Sequence, residues 1–278
     1  MLRASEASST CSAENPRTDM ATPNNSNLPE KQIAIFVDFE NLALGVQDAK
    51  FEKFRLDLAI NRLVERGRII YKKAYADWTR YRNDKNSFHE TNFELVEIPK
   101  KRISGKNSAD IRMVVDALDL CYTRPHLDIF ALLSGDSDFS PLVAKLSEYG
   151  KHVIGMGVKN STADILVSVC DEFIYYDDLV REQKPRMRRA QGVPDKQQAL
   201  FDLVVDAVEG LQRQDYEVVW GSMVKQQIKR KQPQFSENYY GFRNFHELLE
   251  AARKAGLIDL QKDQKSGSYI VLNVASAP

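Results

Sequence analysis

The sequence predicts an α/β protein: a parallel sheet with helices on both faces, followed by a small helical unit that ends in a hairpin. Three observations carry this. Between residues 32 and 180, short apolar runs alternate with segments of helical periodicity, the mark of repeated βαβ units. Several of those runs are apolar throughout rather than alternating, as strands buried on both faces are. Beyond residue 180 the runs stop, and a stretch dense in Arg, Lys and Pro gives way to amphipathic segments.

Composition sets the outer bounds. The 278 residues are 43% hydrophobic and 28% charged, an ordinary soluble balance with room for more than one core. The 39 Lys and Arg cancel the 39 Asp and Glu, so nucleic-acid binding would have to come from local basic patches. No apolar stretch approaches the ~20 residues of a membrane-spanning helix, and no membrane role is expected. Cys11, Cys121 and Cys170 are scattered, without Cys-x-x-Cys spacing, which points to a reducing compartment, the cytoplasm. His89, His126, His152 and His246 lack the spacing of a zinc site.

Residues 1–30, rich in Ser, Asn, Thr and Pro, predict a disordered tail. Residues 31–180 then form the main domain. Gln32–Val37 is a buried strand that stops at Asp38, with Phe39-Glu40-Asn41-Leu42 directly after it. Helical periodicity over 55–66, a strand over 68–75, a polar helix over 79–92 and a strand over 93–98 follow. The loop over 100–108 carries Lys100, Lys101, Arg102 and Lys106, and leads to Asp110 at the start of a helix running to about Tyr122. On that helix Asp110 and Asp116 are rotated by about 240°, so both cannot face one metal; Asp110 is the better ligand.

The strand Ile129–Leu133 ends in Ser134-Gly135-Asp136-Ser137-Asp138, and a helix follows from Phe139 to Tyr149. Short strands over 153–157 and 172–176 flank a helix over 161–169 that Ser161 is expected to cap. Carboxylates thus follow the first and fourth strands at their carboxyl ends, where open α/β sheets bind ligands. Oxygen donors gathered there suit Mg²⁺ or Mn²⁺. The plainer explanation is an N-cap for Asp136 and a solvated first-turn acid for Asp138.

Residues 181–192 read as a basic linker, with Arg181, Lys184, Arg186, Arg188 and Arg189. Over 193–275, helices at 197–211, 221–231 and 244–255 precede segments at 257–260 and 268–272 around a polar turn, the order of a winged helix-turn-helix. The second helix carries Lys225, Lys229, Arg230 and Lys231, charge expected to be available to nucleic acid. Trp220, Tyr239, Tyr240 and Phe242 are more readily core than base-stacking surface.

Val37-Asp38-Phe39-Glu40-Asn41-Leu42, Lys106 followed by Asp110, and Leu133-Ser134-Gly135-Asp136-Ser137-Asp138-Phe139 together resemble the NYN family, and more narrowly its LabA-like branch within the PIN-like nucleases. Leu142, Leu146, Gly150-Lys151-His152-Val153 and Cys170-Asp171-Glu172-Phe173-Ile174 fit the same branch. The likeness spans residues 32–180. Asn244-Phe245, Leu248-Leu249 and Gly256-Leu257-Ile258 give residues 193–274 a weaker resemblance to OST-HTH (LOTUS) domains.

The resemblance implies a PIN-like, Rossmann-like fold and a metal-dependent endoribonuclease. Asp38, Asp110, Asp136 and Asp138 would be both metal ligands and catalytic residues, with Asn41, Lys106 and Ser134 contacting substrate. It implies RNA as partner, with the C-terminal domain binding RNA, pairing the chain with a second copy or holding a protein partner. An RNA-binding adaptor with little nuclease activity is the alternative. A haloacid-dehalogenase phosphatase is a third, but it requires a second Asp where Glu40 stands.

Overall fold

The computed structural model describes residues 30–98, 108–182, 195–214 and 216–275. The expected tail, the Lys106 loop and Arg186, Arg188 and Arg189 of the linker lie outside the described residues. The first unit is a parallel sheet of six strands, β1 (Gln32–Asp38), β2 (Arg68–Ala76), β3 (Glu94–Glu97), β4 (Ile129–Leu133), β5 (His152–Gly157) and β6 (Glu172–Tyr175), in the order β3-β2-β1-β4-β5-β6. The chain winds outward from β1 in one direction, then crosses to β4 and winds outward in the other. The switch between β1 and β4 opens a crevice at the carboxyl ends of both strands.

The apolar runs are explained by two cores. Along β1, Ile33, Ile35 and Val37 face one side; Ala34 and Phe36 face the other. The first side is covered by α1 (Phe39–Asp48), α2 (Leu56–Val64), α3 (Lys85–Glu90) and α7 (Tyr176–Glu182), through Leu42, Leu63, Phe88 and Leu179. The second is covered by α4 (Ser108–Thr123), α5 (Ser140–Glu148) and α6 (Asp164–Val169), through Met113, Val143 and Leu166. A strand buried on both faces has no polar side to show, which is why these runs do not alternate.

Several elements differ from expectation for local reasons. The helix expected over 79–92 is confined to Lys85–Glu90, because Asp77 takes the backbone N–H and the hydroxyl of Thr79 and makes a turn instead. Ser161 does not cap a helix: a 3-10 turn spans Lys159–Ser161, and α6 starts at Asp164 after Ala163. Helix α1 begins at once after β1, since Asp38 is both the last strand residue and the N-cap that accepts from the Asn41 N–H at 3.3 Å.

The second unit has its own core. Helices α8 (Asp195–Gln212), α9 (Gly221–Lys231) and α10 (Phe245–Lys254) pack on a sheet of β7 (Val219–Trp220), β9 (Tyr269–Val274) and β8 (Ile258–Lys262), all antiparallel. Tyr240 and Phe242 pack against this core as expected, while Tyr239 is 70% exposed and stands edge-on to Tyr240. Among the described residues, no helix is long and apolar enough to cross a membrane.

Candidate active site

Asp38 and Asp136 lie on either side of the β1–β4 switch. Asp38 is only 5% exposed. The Ser134 hydroxyl donates to Asp38 Oδ2 at 3.0 Å and accepts the Asp136 N–H at 3.2 Å, so one buried oxygen ties the two strand ends together. The Asn41 side-chain oxygen accepts the Gly135 N–H at 2.8 Å, locking the first turn of α1 to the end of β4. Gly135 allows the loop after β5 to close over this junction. A Cβ there would lie 2.6 Å from the Ser161 carbonyl oxygen, and the Gly135 carbonyl accepts the Ala163 N–H at 2.9 Å.

Two residues expected to contact substrate have partners inside the protein. Ser134 is 1% exposed and its oxygen is committed in both directions, so it holds Asp38 from beneath. The carbonyl of Asn41 is likewise engaged by the scaffold. Asp136 is also the cap foreseen by the plainer explanation: its carboxylate accepts the Asp138 N–H at 3.0 Å and opens a 3-10 turn, Ser137–Phe139, that runs into α5. Capping and a role in the site coexist, because a carboxylate accepts at more than one lone pair.

Electrostatics shows how the acids are gathered. Burial raises the Asp38 pKa; the Asn41 N–H and the Ser134 hydroxyl oppose this, while the charges of Asp110 and Asp136 add to it, leaving the group at about 7. Asp110, in the first turn of α4, is raised by partial burial and by Asp136, Asp138 and Glu40, to about 6. Asp38, Asp110, Asp136 and Asp138 therefore share one electrostatic neighbourhood although the sequence spreads them over a hundred residues. Groups so perturbed in a crevice favour a bound proton or a bound cation.

Asp116 is elsewhere. Its carboxylate takes Lys73 at 3.0 Å, the Tyr75 hydroxyl at 2.9 Å and Arg112 at 3.1 Å, and belongs to the packing of α4 on β2.

Sequence reading passed over Glu40 and Tyr81. Glu40 accepts the Asp77 N–H at 3.1 Å, which ties the end of β2 to α1, and its charge acts on Asp110. Tyr81 stands edge-on to Phe39; burial raises its phenol, and Glu40 and Asp38 push it further, against the pull of Arg80. A signal for this part existed: Asp77 follows buried β2 just as Asp38 follows β1.

The donor set of hard carboxylate oxygens fits Mg²⁺ or Mn²⁺. It is not a closed cage, since among the described residues no group of three or more His, Cys, Asp or Glu is drawn together tightly enough to hold a metal. Mg²⁺ ordinarily keeps several waters and binds through one or two carboxylates plus substrate phosphates, so an open arrangement suits it.

Residues 32–177 match the NYN domain family. An uncharacterized protein of Methanocaldococcus jannaschii is 29% identical over 149 residues, 52% of this chain and 55% of that protein. The chain thus spans about half the length of that relative. A crystal structure of a protein of unknown function from Vibrio parahaemolyticus aligns at 27% identity and a TM-score of 0.48, covering 54% of this chain and 95% of that one.

Proposed function

Because the chain belongs to the NYN domain family of PIN-like nucleases, we propose that it is a divalent-metal-dependent endoribonuclease whose site is the β1–β4 crevice. The observation that carries this reading is the meeting of acids at the β1–β4 switch: buried Asp38 is tied through the Ser134 hydroxyl to the Asp136 backbone, and burial with neighbouring acids raises Asp38 to about 7 and Asp110 to about 6. Of Asp38, Asp110, Asp136 and Asp138, one or two would hold Mg²⁺ or Mn²⁺ together with water and a substrate phosphate. When bound, such an ion supplies charge neutralisation for phosphate oxygens and acidifies an attacking water.

The remaining work falls to the chain. Ser134 fixes the orientation of the Asp38 carboxylate, and Asn41 holds the Gly135 turn that presents Asp136. Burial first, then Asp136, Asp138 and Glu40, raise the Asp110 pKa to about 6, a strain that a bound cation would relieve. Arg80, whose charge reaches the Tyr81 hydroxyl, supplies a described cation beside the crevice for a phosphate; Lys106 is proposed for the same task.

The finer assignments belong to the same proposal: the LabA-like branch for residues 31–180, and an OST-HTH module over 193–275 that contacts RNA. The winged-helix order of α8, α9, α10 and the β8–β9 hairpin supports the second. The cytoplasm is proposed as the location.

The test uses the full chain with a circular single-stranded RNA, which only internal cleavage can open, in Mn²⁺, Mg²⁺ or EDTA. Opening with metal and none in EDTA is expected. Retention of RNA without cleavage in any condition would overturn the proposal in favour of an adaptor. Phosphate release from a phosphomonoester, with the circle intact, would overturn it in favour of a phosphatase.

A further inference from the structure

Three of the four α9 cations expected to be available to nucleic acid are engaged within the protein. Lys225 pairs with Glu237 at 2.7 Å, Arg230 with Glu30 just ahead of β1, and Lys231 with Glu65 at 2.9 Å and Asp206 at 2.8 Å. Glu65 is the hub. It is 2% exposed, and its carboxylate meets Arg213 beyond the end of α8 at 2.8 Å, Lys231 at the end of α9, and Arg62 of its own helix at 3.5 Å. Arg62 is also held by Glu182. Three pairs cross the seam between the two units, Arg213–Glu65, Lys231–Glu65 and Arg230–Glu30; Arg62–Glu182 lies within the first unit and Lys231–Asp206 within the second.

Local preference does not account for Glu65. It is the C-cap residue of α2, the end of a helix where a carboxylate is disfavoured. The cations at the end of α9 sit where a helix favours them, and they bring to Glu65 the charge that its own helix end lacks. Gly210 eases the fit: a Cβ there would lie 3.0 Å from the carboxyl carbon of Glu65, so any side chain on this turn of α8 would make the acid give way.

The seam is paired but not saturated. Glu65 Oε2, Arg66 Nη1, Arg213 Nε and Gln227 Nε2 are buried with no hydrogen-bond partner among the described residues. Desolvated charges whose hydrogen bonds are incomplete recover less than burial costs. Such a contact holds two surfaces together yet yields to a competitor that offers better-matched anions. Phosphates are such a competitor, since they accept from Arg and Lys with strong, charge-assisted geometry.

We propose that this seam is an autoinhibitory latch, in which Glu30 and Glu65 of the first unit occupy Arg230 and Lys231 of α9 and Arg213 beyond α8, cations that would otherwise bind the phosphates of a single-stranded RNA. A strand long enough to reach from the crevice to the second unit opens the latch and gains a second set of phosphate contacts. The proposal rests on the reading of the chain as acting on RNA, but it makes a separate claim about where affinity is withheld.

The experiment opens the latch from two sides in the full chain. Glu65→Gln removes the central charge. Gly210→Gln wedges α8 away from Glu65 while placing a better helix former in α8. Far-UV circular dichroism verifies the fold of each, small-angle scattering reads the maximum dimension, and fluorescence anisotropy in EDTA reads affinity for a long single-stranded RNA.

Both variants are expected to lengthen the particle and to bind about five- to tenfold more tightly. The salt dependence should steepen by about two, because each phosphate newly contacted in a single strand adds about 0.7 to the slope. Adding Arg230→Ala and Lys231→Ala to the Gly210→Gln protein should remove the gain. An unchanged particle in both variants overturns the latch. A longer particle without tighter binding reduces the seam to an ordinary structural contact and overturns the proposal too. The RNA reading itself falls separately, by absence of cleavage and binding in the wild-type chain, while scattering still reports whether the units part.

Discussion

Two aspartates on α4, Asp110 and Asp116, live under opposite rules. Burial works against the charged form of each. Around Asp110 the further influences are other acids, Asp136, Asp138 and Glu40, and the group rises to about 6. Around Asp116 hydrogen bonds from Lys73 and Tyr75, with the charges of Lys73 and Arg112, outweigh burial and hold the carboxyl below its ordinary value. An acid in a sheet protein is therefore not a sign of function by itself. The balance of its surroundings is: Asp116 has what it needs inside the protein, whereas Asp110 and Asp38 are built to want a cation or a proton.

The largest effect separates the two ends of α4 by activity. Asp136→Asn, which removes an acid beside Asp110, is expected to lower RNA cleavage by about 10²–10³-fold, the usual scale for losing one group that meets charge at a reacting phosphate or carbonyl. Asp116→Asn should leave the rate per folded molecule unchanged. Single-turnover cleavage of labelled RNA reads both. Equal losses in the two variants, with the fold intact, would break the division.

The next effect is on stability without metal, and its sign follows from the raised groups. Asp38 binds its proton up to about pH 7 in the folded protein, against 3.8 for an unperturbed group. Between those values the folded state holds more protons than the unfolded one, so stability falls as pH rises. The loss attributable to Asp38 is on the order of 3–4 kcal/mol at most. Asp110, raised to about 6, steepens the lower part of the same window. Urea unfolding in EDTA from pH 4.5 to 8 should trace the decline. Asp38→Asn should flatten it and raise the Tm above pH 7 by several degrees. A stability that climbs through this window would mean that the crevice acids are ionised at no cost.

Asp116 should give the mirror image. Asp116→Asn takes from Lys73, nearly buried on β2, its partner at 3.0 Å, leaving the 3.4 Å pair with Glu94, and weakens the bond from Tyr75. A destabilisation of about 2–3 kcal/mol is expected, seen as a lower urea midpoint. The native contribution should fade as pH drops, since a depressed carboxyl loses its partners only when protonated. No change in midpoint would show that α4 stays on β2 by apolar packing alone.

What the sequence made legible follows the same physics. The six strands and the acids at the carboxyl ends of β1 and β4 were readable, because burial on both faces writes itself as continuous apolar runs that stop where the crevice begins. The rotation between Asp110 and Asp116 was enough to separate their roles. Partnership was not readable. Helix α1 was hidden because Asp38 ends a strand and caps a helix in one residue. The polar segment over 79–92 reads as helix throughout, yet its start is a turn: Trp78 and Tyr81 pack onto Phe39, a contact between distant elements that leaves no period behind. The cations of α9 were visible as charge, but Glu65 lies 166 residues from Lys231 in the chain, and nothing local announces that they meet.

The smallest effect tests whether Ser134 does for Asp38 what Lys73 and Tyr75 do for Asp116. Its hydroxyl is the buried donor to Asp38 Oδ2 at 3.0 Å and also the acceptor for the Asp136 N–H at 3.2 Å. Ser134→Ala removes both bonds without adding bulk. Two losses follow: Asp38 is freed to rotate and its pKa rises further, since the Ser134 bond lowers it, while the Asp136 N–H is left without this acceptor. The stability cost should be about 1 kcal/mol, the worth of a typical hydrogen bond. The effect on cleavage should appear in the metal dependence. Partners that orient a ligand commonly set affinity by about 10–100-fold, and the lower end is expected here because the Asn41 N–H still holds Asp38 Oδ1. The concentration of Mn²⁺ at half-maximal rate should therefore rise about tenfold, with the maximal rate largely kept. A fall in maximal rate at unchanged metal dependence would instead place Ser134 in contact with substrate, and the assignment of that hydroxyl to the scaffold would be wrong.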